Sequence, residues 1–242
     1  MRVNPDTLGN TTRINMMKPH YVIIAGLMTL PVFAKELPPT AEQQKSLKPD
    51  AVLEELMAGN ARYVSGKPTD PNILSRIEAT AEGQYPKAYI LSCVDSRVPV
   101  EQVFDQGIGD LFVGRVAGNI ESLEQLGSIE FATKVAGAKL VMVLGHEACG
   151  AVKGACDHVK MGNLTHLLGE IAPAVEAVEG HEGGRTSKNP EFVEDVIMKN
   201  VQLTVADLRK RSEVLAELEK NGEIKIVGAH YSLKDGKVTL VD

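Results

Sequence analysis

Residues 139–144 read Lys-Leu-Val-Met-Val-Leu, and residues 145–150 continue Gly-His-Glu-Ala-Cys-Gly. After Lys139 the first block is continuously apolar, and it is too short for a helix. It reads as a strand buried on both faces. The second block places His146 and Cys149 three positions apart, directly after that strand. Open α/β sheets bind their ligands at the carboxyl ends of strands. One stretch therefore predicts both the fold and the place of the chemistry.

Outward from it, Ala88–Ser92 (AYILS) is a second apolar run, bounded by Pro86 and by a loop that opens on Cys93. Leu111–Arg115 (LFVGR) and residues 225–229 (KIVGA) are further strands. A helix is expected over 122–135, with Leu126, Ile129 and Phe131 at helical spacing. Helical segments over 148–160, Leu164–Ala177 and 191–219 separate the third strand from the fourth. Strands alternating with helices predict an α/β fold, a mostly parallel central sheet flanked by helices. After residue 231, Asp235-Gly236 marks a two-residue turn and hence a C-terminal antiparallel hairpin extension. Upstream, Val52, Leu53, Leu56, Met57, Tyr63 and Val64 form a helical stripe with Asp50 as N-cap, and residues 66–71 break it. Residues 35–49 are rich in Pro and Lys and read as an arm. No repeat and no second boundary stands out, so residues 35–242 are expected to form a single domain, with the arm and first helix over 35–65.

Residues 21–33 (YVIIAGLMTLPVF) are apolar but short for a membrane span. Lys18 precedes them and the small Ala34 follows, the pattern of a secretory signal peptide over residues 1–34. Met16 or Met17 would also begin a compact leader, and an uncleaved anchor is the competing reading. Cleavage would leave an exported protein, periplasmic or secreted, with no stable membrane insertion. The net charge of −6, the 4% aromatic content and the absence of Trp argue against nucleic acid as a partner.

The chain has three cysteines, Cys93, Cys149 and Cys156. An oxidising compartment invites a disulfide, but Cys93, His146 and Cys149 together offer two thiolates and an imidazole. That is a zinc set one ligand short of tetrahedral closure, which leaves a position for water as catalytic sites do. Zinc lowers the pKa of such a water to about 7 and so supplies hydroxide at neutral pH. Asp95 and Arg97 stand beside Cys93. Arg97 would hold Asp95 ionised and turned off the metal, where it would orient that water. A closed site with Asp95 as fourth ligand is the alternative arrangement. Cys156 reads as a small buried residue, and His158 as a candidate proton relay. Gly145 and Gly150 have phosphate-loop spacing, but Ala151 and Val152 replace the required Lys and Ser/Thr.

With these residues in place, CVDSRVPVEQVF, FVGRVAGN, GSIEFA and VLGHEACGAVKGA resemble the β-class carbonic anhydrases, in the plant-type, open-site subgroup. Similarity extends from Gly59-Asn60-Ala61-Arg62-Tyr63 to the IVGAHYSLKDGKV segment. The resemblance implies one Zn2+ per chain on Cys93, His146 and Cys149, an Asp95–Arg97 dyad, and reversible hydration of CO2 to bicarbonate and a proton by attack of zinc hydroxide. It implies Gln84 and the Gly150 amide as substrate donors, and Phe112, Ala117 and Phe131 as pocket walls. It implies a homodimer or dimer of dimers, with part of the CO2 pocket supplied by the neighbouring chain. Phe131 stands where a Tyr is common, and Ala117 where a bulkier aliphatic is. The gated subgroup has a Trp three residues before the first Cys. Here that residue is Ile90, so the open form is expected. A hydrolase of CS2 or COS, a non-catalytic zinc-stabilised binding protein and a thiol redox protein are the other readings. The missing C-x-x-C disfavours the last.

Overall fold

The structure, a computed structural model, describes residues 36–241, which fall in one compact unit. The expected leader lies outside the described residues. The centre is a five-stranded sheet in the order β2-β1-β3-β4-β5. β1 (Ala88–Ser92), β2 (Leu111–Arg115), β3 (Leu140–His146) and β4 (Lys225–Tyr231) run parallel, and β5 (Val238–Val241) pairs antiparallel with β4. The first two strands coincide with the residues expected. β3 and β4 run on past their apolar runs because the ladder continues through Gly145 opposite His230 and His146 opposite Tyr231. Gly145 is required there: a Cβ would lie 2.5 Å from a Val201 methyl of the covering helix.

Alternate residues divide between the two faces. Ile90, Met142 and Leu144 pack with Leu53 and Leu56 of α2 (Pro49–Val64) and with Val103 of α4 (Val100–Val103). Tyr89, Leu91, Val141 and Val143 pack with α5 (Leu123–Glu130), α8 (Pro190–Arg211) and α9 (Glu213–Lys220), through Ile129, Val201 and Leu215. Burial on both faces is why these strands read as continuous apolar runs. A third cluster closes the carboxyl end of the sheet. It joins α6 (Gly150–Cys156), α7 (Leu164–Ala177) and the start of α8, and it contains Cys93 and Cys149.

Several expected elements are corrected. The arm contains a helix, α1 (Ala41–Ser46), with a capping box between Thr40 and Gln43. α3 (Ile73–Thr80) was not expected. The Asp50 helix begins at Pro49 and is capped at Lys48, because proline's fixed φ suits the first helical turn. Asp50 instead pairs with Lys225 at 2.6 Å. The segment 191–219 is broken at Ser212, whose hydroxyl accepts the Leu215 N–H and starts α9. Segment 148–160 contracts to α6, and α5 ends in a π-helical turn over Phe131–Val135. The terminal hairpin is present, but its connection is not a two-residue turn. Ser232 donates to the Lys237 carbonyl, and residues 233–236 loop between them, with Gly236 at φ +76°.

Candidate metal centre and active site

β1 and β3 are neighbours, with Ser92 opposite Leu144. Cys93 follows β1 and His146 ends β3, so both reach the same edge of the sheet. The chain then turns through Ala148, whose φ of +52° is a strained value for a residue with a Cβ. That turn brings Cys149 back as the N-cap residue of α6. Sequence spacing alone suggested this convergence, and the sheet register produces it.

The ligand atoms of Cys93, His146 and Cys149 lie within 4.8 Å of one another, and all three residues are buried. The two sulfurs are 4.0 Å apart, so no disulfide joins them. His146 Nδ1 lies 2.8 Å from the Glu147 carbonyl. A carbonyl only accepts, so Nδ1 carries the proton and Nε2 presents its lone pair. That Nε2 is buried without a hydrogen-bond partner. A buried, unpartnered imidazole nitrogen beside two thiols fits zinc, and the Glu147 carbonyl fixes the ring's tautomer and tilt.

The thiols are prepared for this. The Cys149 S–H and the Gly118 and Asp95 amides favour a Cys93 thiolate, against the opposing effect of burial. The Gly118 N–H lies 3.4 Å from Cys93 Sγ. Without a cation, Cys149 holds its proton, because the Cys93 anion and burial both push its pKa up. The amides of Ala151 and Val152 point at the Cys149 sulfur and act in the other direction. A divalent cation would replace the shared proton.

Asp95 is held by a fork. Arg97 Nε donates to Oδ1 at 2.9 Å and Nη2 to Oδ2 at 2.7 Å, while the Arg97 amide adds a 2.9 Å bond to Oδ1. These bonds keep the Asp95 carboxyl well below the usual carboxylate range. Asp95 Oδ2 is 3.9 Å from His146 Nε2 and stands outside the three-residue cluster. The carboxylate thus borders the centre with both oxygens engaged by arginine.

Two other expected residues lie beside the cluster. Gly150 is the exposed first residue of α6, with nothing within 4 Å of where its Cβ would be. Ala117 opens the 3-10 turn Ala117–Asn119, next to the Gly118 amide that meets Cys93. Three are not brought there within one chain. Gln84 is exposed before β1, at the opposite end of that strand, beside Thr80 and Gly109. Phe112 and Phe131 meet edge to face at 6.2 Å, in a depression on the β2 side that also holds Tyr89, Gly114 and Gln125. β2 is the outermost strand on that side, so this edge has no neighbour within the described residues. Cys156 is buried as expected, its thiol pushed up to about 11 by burial. His158 is exposed just beyond the end of α6. The Glu147 carbonyl and the Gly118 amide were not foreseen, since backbone groups leave no mark in sequence.

A family profile described as carbonic anhydrase matches residues 88–238, which span the four parallel strands and all three cluster residues. Carbonic anhydrase 2 of Mycobacterium tuberculosis is 39% identical over 200 residues, covering 80% of this chain and 93% of that one. The chain belongs to the β-carbonic anhydrase family. Among solved structures, a β-carbonic anhydrase of Aspergillus fumigatus superposes with a TM-score of 0.61 at 23% identity, covering 80% of this chain and 90% of that one. One of two tetrameric β-carbonic anhydrases of Sordaria macrospora gives 0.59 at 20% identity, covering 79% and 97%. Both show the same fold. The protein is accordingly a carbonic anhydrase with zinc as its cofactor, and the Cys93–His146–Cys149 cluster is able to bind one metal ion.

Proposed function

We propose that this β-carbonic anhydrase hydrates CO2 reversibly through an open metal centre. The observation that carries the reading is the unpartnered His146 Nε2 beside two buried thiols, with Asp95 drawn aside by Arg97. Cys93, His146 and Cys149 would hold zinc, which when bound makes a water nucleophilic near neutral pH. Asp95, kept ionised, accepts a hydrogen bond from the attacking water and aims its lone pair at carbon. The Gly150 N–H, in the first turn of α6 where helical partners are missing, donates to a CO2 oxygen. Water adds to carbon, one proton leaves to buffer, and bicarbonate departs.

The rest of the pocket is assigned to a second copy of the chain. Phe112 lies on the edge strand β2, and Phe131, from the turn after α5, packs against it and is 51% exposed. A homodimer across this edge would cover both rings and bring them to the other chain's centre. Gln84 belongs to the same proposed contribution. The tetramers of Sordaria macrospora make a dimer of dimers a natural extension. Lys18, the apolar run 21–33 and Ala34 support export to the periplasm or medium. The mass of the mature chain tests that directly, with a start near Lys35 expected. Function is tested by stopped-flow CO2 hydration beside parallel CS2 and COS assays. Fast CO2 turnover with negligible turnover of the sulfur substrates is expected, and the opposite ratio would contradict the assignment.

A further inference from the structure

Arg115 is the last residue of β2 and lies opposite Ser92 in the parallel register. Its guanidinium therefore reaches the turn that follows β1. Nε donates to the Cys93 carbonyl at 2.8 Å, and Nη2 donates to the Asp95 carbonyl at 2.5 Å. The same turn is tied at its base, where the Val116 amide donates to the Ser92 carbonyl at 3.0 Å. Inside it, the Val98 amide donates to the Asp95 carbonyl at 3.1 Å. One rigid planar fork thus spans the backbone of a metal ligand and of the carboxylate beside it.

We infer that Arg115 is a positioning residue that fixes the Cys93–Arg97 turn and so holds Asp95 off the metal. The inference rests on the open-centre reading and names a second lock for it. Arg97 fixes the side chain of Asp95, whereas Arg115 fixes its main chain. Neither lock suffices alone. A carboxylate held only by Arg97, which is 54% exposed, could swing with its backbone toward His146 Nε2, already just 3.9 Å from Oδ2. The two carbonyls require two donors in one plane at fixed spacing. Arginine supplies that arrangement and lysine does not. Arg115 faces the turn's backbone and acts through it, without contact to the reacting atoms.

Arg115→Gln and Arg115→Lys, in the full chain loaded with zinc or with cobalt(II), test this. Both variants are expected to take up one metal per chain, because no ligand is removed. Their kcat for CO2 hydration should fall roughly 10- to 100-fold, the usual cost of losing an outer-sphere partner. The visible bands of the cobalt form should change in position or intensity as a carboxylate enters the open position, while the thiolate bands in the near ultraviolet persist. General destabilisation would not alter the spectrum of folded protein. A wild-type cobalt spectrum with wild-type kcat in both variants would overturn the inference. Inactivity of the zinc-loaded wild type would instead overturn the functional reading on which it rests.

Discussion

At the scale of single residues, Asp95 carries the most specific expectation. Its carboxylate is engaged by three Arg97 donors and is not in the ligand cluster. Asp95→Asn should therefore keep zinc while kcat falls by about 10²-fold or more, in line with the loss of a proton-accepting group. Metal analysis beside steady-state kinetics checks this, and loss of zinc would place Asp95 among the ligands. The pH dependence follows from the direction of the shift. A carboxyl depressed by folding contributes stability above its unfolded pKa, about 3.9, and loses it only as pH falls through the lower folded value. The Asp95–Arg97 pair should thus be unchanged between pH 9 and 5. Any acid-side loss of activity in that window should survive in Arg97→Lys, as a pH–rate profile would show. The ligand residues were legible because side chains of the right kind stood directly after strands. The Glu147 carbonyl that orients His146 was not, since any residue at that position supplies one.

At the scale of elements, one staple links helix and hairpin. Asn60 of α2 donates to the Val103 and Gly236 carbonyls at 3.1 and 2.9 Å, and its Oδ1 accepts the Val238 N–H at 2.9 Å. Asn60→Ala should cost about 2–3 kcal/mol in urea unfolding, because buried partners are left unpaired. Gly59 beside it lets α2 approach the loop after α4: a Cβ there would lie 1.9 Å from the Phe104 carbonyl. Gly59→Ala should destabilise the protein despite alanine's helix preference of about 1 kcal/mol, and thermal melting would reveal it. The same scale shows why some elements were missed. α3 turns Ile73, Leu74 and Ile77 outward and buries Arg76, so its apolar pattern gave no core-facing stripe. Arg76 sits fully buried against Asp110 at 2.6 Å. By contrast, α1 had a readable capping box in Thr40 and Gln43, and Ser212 was a readable cap within an unbroken helical pattern. β1 and β2 were legible to the residue because their apolar runs stop at sharp breaks.

At the scale of the whole molecule, the proposed site divides into a half within one chain and a half assigned to a second copy. Parallel pairing of β1 with β3 assembles the metal centre from residues 53 positions apart. Among the described residues no register does the same for Phe112, Phe131 or Gln84, which the family resemblance could name but not place. Phe131→Asp puts a charge into the proposed dimer edge. It should shift sedimentation toward the monomer and lower kcat/KM, with zinc content unchanged. A stable dimer of the variant would move the interface elsewhere. We propose above all that Cys93, His146 and Cys149 bind one catalytic zinc with a position left open. Titrating zinc into metal-free protein while recording CO2 hydration tests it most directly. Activity should rise linearly and saturate at one zinc per chain. Full activity without zinc, or none at saturation, would contradict the claim.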